Sequence, residues 1–336
     1  MHLRALVTTL AISASAPAFA WGPNGHHTIG ALADKLIAGS HAASQVATIL
    51  NGLSLQDAAV WADCAKGIDP TKNFQYQNPG TFPECAIFEN PTEEAAMADF
   101  VKRNDTNCVR KPTEESCHKQ YHYSDIAAQH ARYETGLIGA RNDDIVAAVS
   151  AAVRELKGES VPAPFSLKNK REALLLLAHY VGDIHQPLHV GAIYLTAAGV
   201  RVNPDAGTFD EATATRGGNE IMVTALPGAK PQNLHANWDA IPPSLQVAHI
   251  SAEWIARAAA IPPTSGNIST WPTTWATESV KDAQHAFKGL QFTKMSDTLW
   301  GVTLPVGYEA DANTIKDAQL TKAGARLAQI LQAIFP

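Results

Sequence analysis

The segment 166–189, SLKNKREALLLLAHYVGDIHQPLH, joins a long apolar run to several histidines and one aspartate. The run is apolar almost throughout its middle, so it predicts a helix that is buried on all sides. His179 and Asp183 are four residues apart and therefore share one face of that helix. Pro187 cannot continue a regular helix, so the chain should turn there and bring His189 back toward the same point.

A carboxylate inside this apolar run needs a positive partner, because unpaired burial of Asp183 would be strongly unfavourable. A lone histidine, or one His/Asp pair, is more often hydrogen-bonded than metal-bound. The same residue types recur, however, in VWAD, YHYSD and NLHANWD, which contribute Asp63, His122, Asp125, His235 and Asp239. Repeated imidazole and carboxylate donors suit zinc better than calcium. The sequence therefore predicts a metal centre.

Most of the chain shows helical periodicity. Apolar residues recur at helical spacing in four segments: 142–158, 166–185, 242–261 and 313–335. The second of these should begin at a Ser166 cap. Strand-like alternation is confined to short pieces such as 219–226, and no linker divides the chain. We therefore expect an all-α fold, a compact helical single domain over 21–336 with long loops and at most a short hairpin.

Residues 1–20, MHLRALVTTLAISASAPAFA, have a basic start, an apolar centre and an A-x-A end. This pattern is typical of a signal peptide that is removed after Ala20, which predicts a secreted or periplasmic protein. A membrane anchor is the weaker alternative, because the apolar run is shorter than the ~20 residues that span a bilayer. We expect no membrane span elsewhere, and a monomer.

The four cysteines, Cys64, Cys85, Cys108 and Cys117, suggest two disulfides in an exported chain. Close spacing favours Cys108 with Cys117, which leaves Cys64 with Cys85, although four cysteines permit three pairings. A cysteine-rich zinc site is less consistent with the sequence, because no C-x₂-C spacing occurs.

The formal net charge of the chain is −6. Such a chain is not a general polyanion binder by its bulk charge. Any affinity for nucleic acid must come from a few local cations or from bound metal.

The stretch WGPNGHH begins at Trp21, directly after the predicted cleavage site. A free α-amino group has a pKa of about 8, so a metal can displace its proton easily. The amine and carbonyl of Trp21 could chelate one ion, and the Gly/Pro turn could return His26 to it. The alternative is that Trp21 only fills an apolar groove.

With these residues assembled, the chain resembles the zinc-dependent single-strand nucleases of the S1/P1 family, and more distantly the zinc phospholipase C enzymes. The matching motifs are WG..GH, WAD, HY..D, HYVGD.HQPLH, GGN and NLH..WD, and they occur in family order. The resemblance implies a compact helical catalytic domain that hydrolyses single-stranded RNA and DNA to 5′-phosphate products and acts on 3′-nucleotides.

The resemblance also implies three zinc ions per chain. The first would be held by Asp63, His122, His179 and Asp183. The second would be held by the amine and carbonyl of Trp21, by His26 and by Asp183, which bridges the pair. The third would be held by His189, His235 and Asp239. His27 is not expected to be a ligand, and His185 is expected to support its neighbours at most.

Position by position, the resemblance assigns two catalytic residues. Asp63 would orient or deprotonate the attacking water as well as bind zinc, and Lys66 would neutralise the phosphoryl oxygens. The alternative for Lys66 is a solvated surface lysine.

Base binding is assigned to Tyr123 by stacking, to Asp125 at the base edge, and to Asn219 of GGN. Stacking requires an unpaired base, which would explain a preference for single strands. The alternatives are that Tyr123 belongs to the core and that Gly217-Gly218 is an ordinary turn.

One departure from the family pattern is the excursion 192–216, AIYLTAAGVRVNPDAGTFDEATATR, which is longer than expected and reads as a long loop or small hairpin. We expect it near the substrate groove. Two rival functions stay open: a zinc-dependent phospholipase C, in which the last ligand is typically Glu rather than Asp239, and a protein that only sequesters zinc.

Overall fold

The computed structural model describes residues 21–108, 115–224 and 231–336. The predicted signal peptide, residues 1–20, lies outside the described residues. Within them the chain forms these helices: α1 (Gly22–Ile37), α2 (His41–Leu50), α3 (Leu55–Ala58), α4 (Trp61–Ala65), α5 (Pro91–Asn104), α6 (Cys117–Gln120), α7 (Ile145–Lys157), α8 (Lys170–Asp183), α9 (Leu234–Asp239), α10 (Ala252–Ala259), α11 (Trp271–Ala286) and α12 (Tyr308–Ile334).

Helix α8 lies at the centre of the molecule. Every residue from Glu172 to Asp183 is buried, and the helix packs against α1, α2, α3, α4, α7 and α12. The predicted buried helix is therefore confirmed, but its cap is not Ser166. The Asn169 side chain accepts the N–H of Glu172 instead, because the Ser166 backbone is held by the buried side chain of Asn104.

The other helical segments agree with the sequence to different degrees. Helix α7 begins at the Asp144 cap and ends at Gly158, within the predicted 142–158. The C-terminal helix begins at Tyr308, earlier than predicted. The prediction over 242–261 was too long, because only 252–259 is α-helical, after two 3₁₀ turns. Ser251 caps that shorter helix, since its side chain accepts the N–H of Trp254.

Short strands occur in addition to the helices: β1 (Ile68–Asp69), β2 (Gln75–Tyr76), β3 (Ile126–Ala127), β4 (Gly191–Ala192), β5 (Tyr194–Leu195), β6 (Arg201–Val202), β7 (Ile221–Val223), β8 (Gln232–Asn233), β9 (Phe292–Lys294) and β10 (Trp300–Val302). One sheet has the order β8-β7-β10-β9, in which only β7 and β10 are parallel. The remaining strands form two-stranded pairs.

The all-α fold class is confirmed in that helices dominate the described residues. The four-stranded sheet nevertheless exceeds the short hairpin that we expected. Strand β7 lies within the strand-like piece 219–226, whereas the other strands are too short to leave a readable alternation in the sequence. Among the described helices, none is both long and apolar enough to cross a bilayer.

The excursion 192–216 contains the antiparallel hairpin β5–β6. Two contacts fix it to the segment that follows β3: His130 Nε2 lies 2.7 Å from a carboxylate oxygen of Asp205, and Gln129 donates to the carbonyl of Val202. The hydroxyl of Tyr194 donates to the carbonyl of Asp125 at 2.6 Å. The excursion is thus ordered, and it reaches one of the predicted base-binding residues.

Two disulfides join Cys64 to Cys85 and Cys108 to Cys117. Both cysteine pairs are therefore those that the close spacing favoured. Cys64 directly follows Asp63 in α4, so the first disulfide links the helix that carries a predicted ligand to the turn at 83–88.

Candidate metal centre

Side chains from six parts of the chain converge on buried positions beside the C-terminal half of α8. They form three groups whose ligand atoms lie within 4.8 Å of one another: His26 with His179 and Asp183; Asp63 with His122 and His179; and His189 with His235 and Asp239. All eight predicted side-chain ligands are thus brought together in these groups.

Asp183 lies between the first two groups. Its Oδ2 atom is 2.9 Å from His122 Nδ1 and 3.1 Å from His179 Nε2. Its Oδ1 atom is 3.2 Å from His26 Nε2. One carboxylate oxygen therefore faces each group, which is the arrangement that a carboxylate bridging two ions requires.

Backbone carbonyls fix the orientation of three histidines. Nδ1 of His179 donates to the carbonyl of Ala59 at 2.6 Å, and Nδ1 of His189 donates to that of His122 at 2.8 Å. Nδ1 of His235 donates to the carbonyl of Gly217 at 2.9 Å. A carbonyl can only accept, so each Nδ1 carries the proton and each Nε2 presents a lone pair to its group.

The third group provides the clearest test of whether a metal fits. Nε2 of His189 and Nε2 of His235 face each other at 3.0 Å, although both are lone-pair nitrogens when the rings are neutral. Oδ2 of Asp239 is buried and has no hydrogen-bond partner among the described residues. A shared cation would satisfy the two lone pairs and the buried carboxylate oxygen, so the donor set fits a zinc ion.

For two of the histidines the pKa values agree with metal binding at neutral pH, whereas neighbouring aspartates raise the pKa of His179 above its ordinary value despite burial. Burial lowers the pKa of His26 and that of His235 to about 4, which keeps both imidazoles neutral. Burial raises the pKa of Asp239 to about 7. A carboxylate with so little compensating charge is a position where a cation would be strongly stabilised.

Lys66 is not a solvated surface lysine. Its Nζ lies 2.7 Å from Oδ1 of Asp63, and its side chain is only 13% exposed. Burial alone would lower its pKa, but Asp63 and Asp183 raise the pKa above the ordinary lysine value. The ammonium is therefore charged and lies at the edge of the Asp63 group.

Trp21 is fully buried at the start of α1. Its indole Nε1 donates to the carbonyl of Gly182 at 2.9 Å, directly before Asp183. Its own carbonyl accepts the N–H of Gly25 at 3.2 Å. The indole thus fills an apolar site, as in the simpler alternative, and it also brings the Trp21 backbone beside α8. The chelate itself stays a prediction.

Two of the base-binding candidates follow His122 in the sequence, and the third belongs to the GGN turn. Tyr123 and Asp125 are partly buried. Burial raises the pKa of Asp125 to about 6, opposed by Arg216, by a hydrogen bond from the Gly217 N–H and by Arg141. The Asn219 side chain donates to the carbonyl of Arg216 and accepts from Asn233. Their roles in base binding stay predictions.

Gly217 connects two parts of the site. Its N–H bonds to the Asp125 carboxylate, and its carbonyl accepts from His235. The backbone has φ 57°, and a Cβ atom there would lie 2.2 Å from the carbonyl oxygen of Leu188. Glycine is required at this turn for both reasons.

Sequence reasoning missed two supporting residues. Gln186 is buried, and its amide donates to Oδ1 of Asp239 at 2.7 Å. Lys316 of α12 donates to backbone carbonyls beside Asp239. Gln186 could have been noticed, since it stands between His185 and Pro187 in the ligand motif. No local signal distinguishes Lys316.

The two remaining motif histidines lie outside the three groups. His185 donates from Nδ1 to the carbonyl of Val181 and contacts Arg326 through Nε2 at 2.9 Å. It supports the C-terminal end of α8, as expected. His27 is a neighbour of His26 but belongs to none of the groups formed by the described residues.

Comparison with known proteins agrees with this geometry. A family model described as S1/P1 Nuclease matches residues 21–336. Endonuclease 1 of Arabidopsis thaliana is 28% identical over 185 residues, which is 50% of each chain. Endonuclease 4 of the same plant is 27% identical over 184 residues, 50% of this chain and 52% of its own. The chain thus spans about half the length of these curated relatives. Because the family model covers the whole of 21–336, the chain belongs to the S1/P1 nuclease family.

Proposed function

We propose that this chain is an exported, zinc-dependent phosphodiesterase that hydrolyses single-stranded RNA and DNA and removes 3′-phosphates from nucleotides. The observation that carries this proposal is the third donor group, where two imidazole lone pairs and a buried carboxylate oxygen face one point. Family membership and the names of the two endonuclease relatives support a nucleic-acid substrate. The two disulfides support export.

Three zinc ions would be held by three ligand sets: Asp63, His122, His179 and Asp183; the amine and carbonyl of Trp21 with His26 and Asp183; and His189, His235 and Asp239. Bound there, zinc supplies a water of lowered pKa and positive charge for the phosphate. Three divalent ions outweigh the three aspartates that bind them, so the site would attract polyanions although the chain as a whole is acidic.

In the proposed reaction, water attacks phosphorus, the bond from phosphorus to the 3′ oxygen breaks, and that oxygen gains a proton. The products are a 5′-phosphate and a free 3′-hydroxyl. Asp63 orients the attacking water. Lys66, whose Nζ lies 2.7 Å from Oδ1 of Asp63, neutralises a phosphoryl oxygen. Asp63 is ionised at neutral pH. Burial alone would raise its pKa, but Lys66 and nearby histidines outweigh this effect and lower the pKa of Asp63 to about 2.

Substrate selection is assigned to Tyr123, Asp125 and Asn219. Tyr123 would stack on an unpaired base, which contributes about 1–3 kcal/mol without strong sequence preference. Asp125 would accept hydrogen bonds from the base edge, and Asn219 would complete the pocket at the GGN turn.

The test is to measure zinc content and hydrolysis with the purified mature chain. We expect about three zinc ions, faster release of acid-soluble nucleotides from single-stranded than from duplex DNA, and 5′-phosphate ends. Hydrolysis of a phosphatidylcholine analogue without nucleotide release would instead indicate a phospholipase C. Saturation with zinc without hydrolysis of either substrate would indicate a sequestering protein.

A further inference from the structure

Helix α9 carries both His235 and Asp239, yet it is only six residues long. A helix of this length is not stable alone, so its surroundings must fix its orientation. At its N-terminus the Asn233 side chain accepts the N–H of Ala236 at 2.7 Å. The C-terminal end needs a separate support, and Asp239 lies at that end.

Lys316 supplies that support from α12. The lysine is 2% exposed, and its Nζ donates to the carbonyls of Asn237 at 2.8 Å and Ala240 at 2.7 Å. The ammonium also lies 5.8 Å from the centroid of the Trp238 ring. The two carbonyls belong to residues on either side of Asp239 in the sequence.

A buried ammonium is unfavourable unless its donors are satisfied. Here the two acceptors are backbone carbonyls at the C-terminal end of α9. Hydrogen bonds from a charged donor are stronger than those from a neutral donor. A methionine would fill similar space but would leave both carbonyls without this donor. The side chain of Asp239 is fixed separately, because Gln186 donates to its Oδ1.

We propose that Lys316 is a positioning residue for the third metal subsite, formed by His189, His235 and Asp239. It acts through the backbone of α9 and touches neither substrate nor metal. This inference rests on the proposed three-zinc centre. It implies that zinc binding in the third subsite depends on Lys316, which lies 77 positions after the last ligand, Asp239. Binding of the other two zinc ions should not depend on Lys316.

The experiment compares zinc binding by the full mature chain and by Lys316→Met. We expect the wild type to hold three zinc ions and the variant to hold two at the same free zinc concentration. In a chelator titration, the weakest zinc should dissociate about 10- to 100-fold more readily in the variant, as for other residues that orient metal ligands. The other two zincs should keep their affinities.

Two controls separate positioning from general stability. Lys322→Met removes an ammonium of the same helix that pairs with Glu278 at 3.3 Å, and it should keep three zincs. Leu331→Ala removes buried apolar packing of α12, and it should lower the melting temperature but also keep three zincs. If Lys316→Met does not fold, Lys316→Gln, which keeps one neutral donor group, is measured in the same way.

The results distinguish the two proposals. A wild type with three zincs and a folded Lys316 variant with all three at unchanged affinity would overturn the role of Lys316 alone. A wild type that holds fewer than three zincs would overturn the three-zinc centre, and the positioning role with it.

Discussion

At the scale of single residues, the metal ligands depend on acceptors that are distant in the sequence. The proton on His179 is set by the carbonyl of Ala59, 120 residues away, and the proton on His235 by that of Gly217. Spacing predicted that His179 and Asp183 converge, because they share a helix face, and the family resemblance implied the rest of the ligand set. Spacing could not predict these carbonyls, because they are brought there only by the folded chain.

Replacement of Lys66 should affect turnover more than metal binding. We expect Lys66→Met to lower kcat for single-stranded DNA by about 10²- to 10³-fold, as for loss of one group that stabilises the transition state. Zinc content should stay unchanged, because Lys66 is not a ligand. Lys72→Met, which removes an exposed lysine, should retain wild-type kcat. A Lys66→Met enzyme with wild-type kcat would show that the ammonium serves only to pair with Asp63.

Asp125 should make substrate binding depend on pH. Burial raises its pKa to about 6, so the carboxyl is largely protonated below pH 6 and ionised above it. If the ionised form accepts hydrogen bonds from the base, KM for a mononucleotide should fall as pH rises from about 5 to about 7. The step should be absent in Asp125→Asn and retained in Asp297→Asn, an exposed control. The same pH profile in Asp125→Asn would assign the step to another group.

At the scale of elements, the sequence predicted the main helices but missed a cap, a helix boundary and most of the short strands. The long apolar run of α8 was found from the sequence, whereas its Asn169 cap was missed because the contacts of Ser166 with Asn104 are non-local. The periodic stretch 242–261 was predicted to be one helix. Two prolines, Pro242 and Pro243, stand at its beginning, and the α-helix begins only after the cap at Ser251. Apart from β7, which lies within the strand-like piece 219–226, the two- and three-residue strands carried no detectable pattern.

Helix α1 permits a direct test of the N-terminal chelate. One extra residue before Trp21 would turn its amine into an amide, which is a much poorer metal ligand. The extended protein should lose about one zinc and most of its turnover, measured by metal analysis and nucleotide release. A chain with one extra residue after Pro336 is the matched control and should behave as the wild type. Equal activity of both would exclude the chelate.

At the scale of the whole molecule, the helical fold and the convergence of the ligands were predictable, because periodicity marks the helices and the ligand motifs occur in family order. Family motifs stopped at Asp239, so nothing in the sequence pointed to the contribution of α12. That helix packs against α1, α8 and α10, and it reaches the third subsite through Lys316. A role of this kind depends on packing between segments far apart in sequence, which periodicity and spacing do not reveal.

Removal of zinc should destabilise the whole domain. The donor groups include three buried aspartates, and one of them, Asp239, has little compensating charge without a cation, so burial raises its pKa to about 7. We expect a lower melting temperature after dialysis against a chelator, by roughly 2–4 °C for each kcal/mol lost, and recovery when zinc is restored. Calcium, which prefers oxygen donors, is the control and should not restore it. A melting temperature that is independent of zinc would contradict a structural contribution of the ions.

The turn at Gly217 has a consequence for how this enzyme could diversify. One residue donates its N–H to the carboxylate assigned to the base and accepts from a histidine of the third group. A mutation that reshapes the turn would therefore disturb both proposed roles, base recognition and metal retention, together. Variation in base preference among descendants of this sequence should accumulate instead at Tyr123, whose side chain can change while the peptide at 217 stays in place.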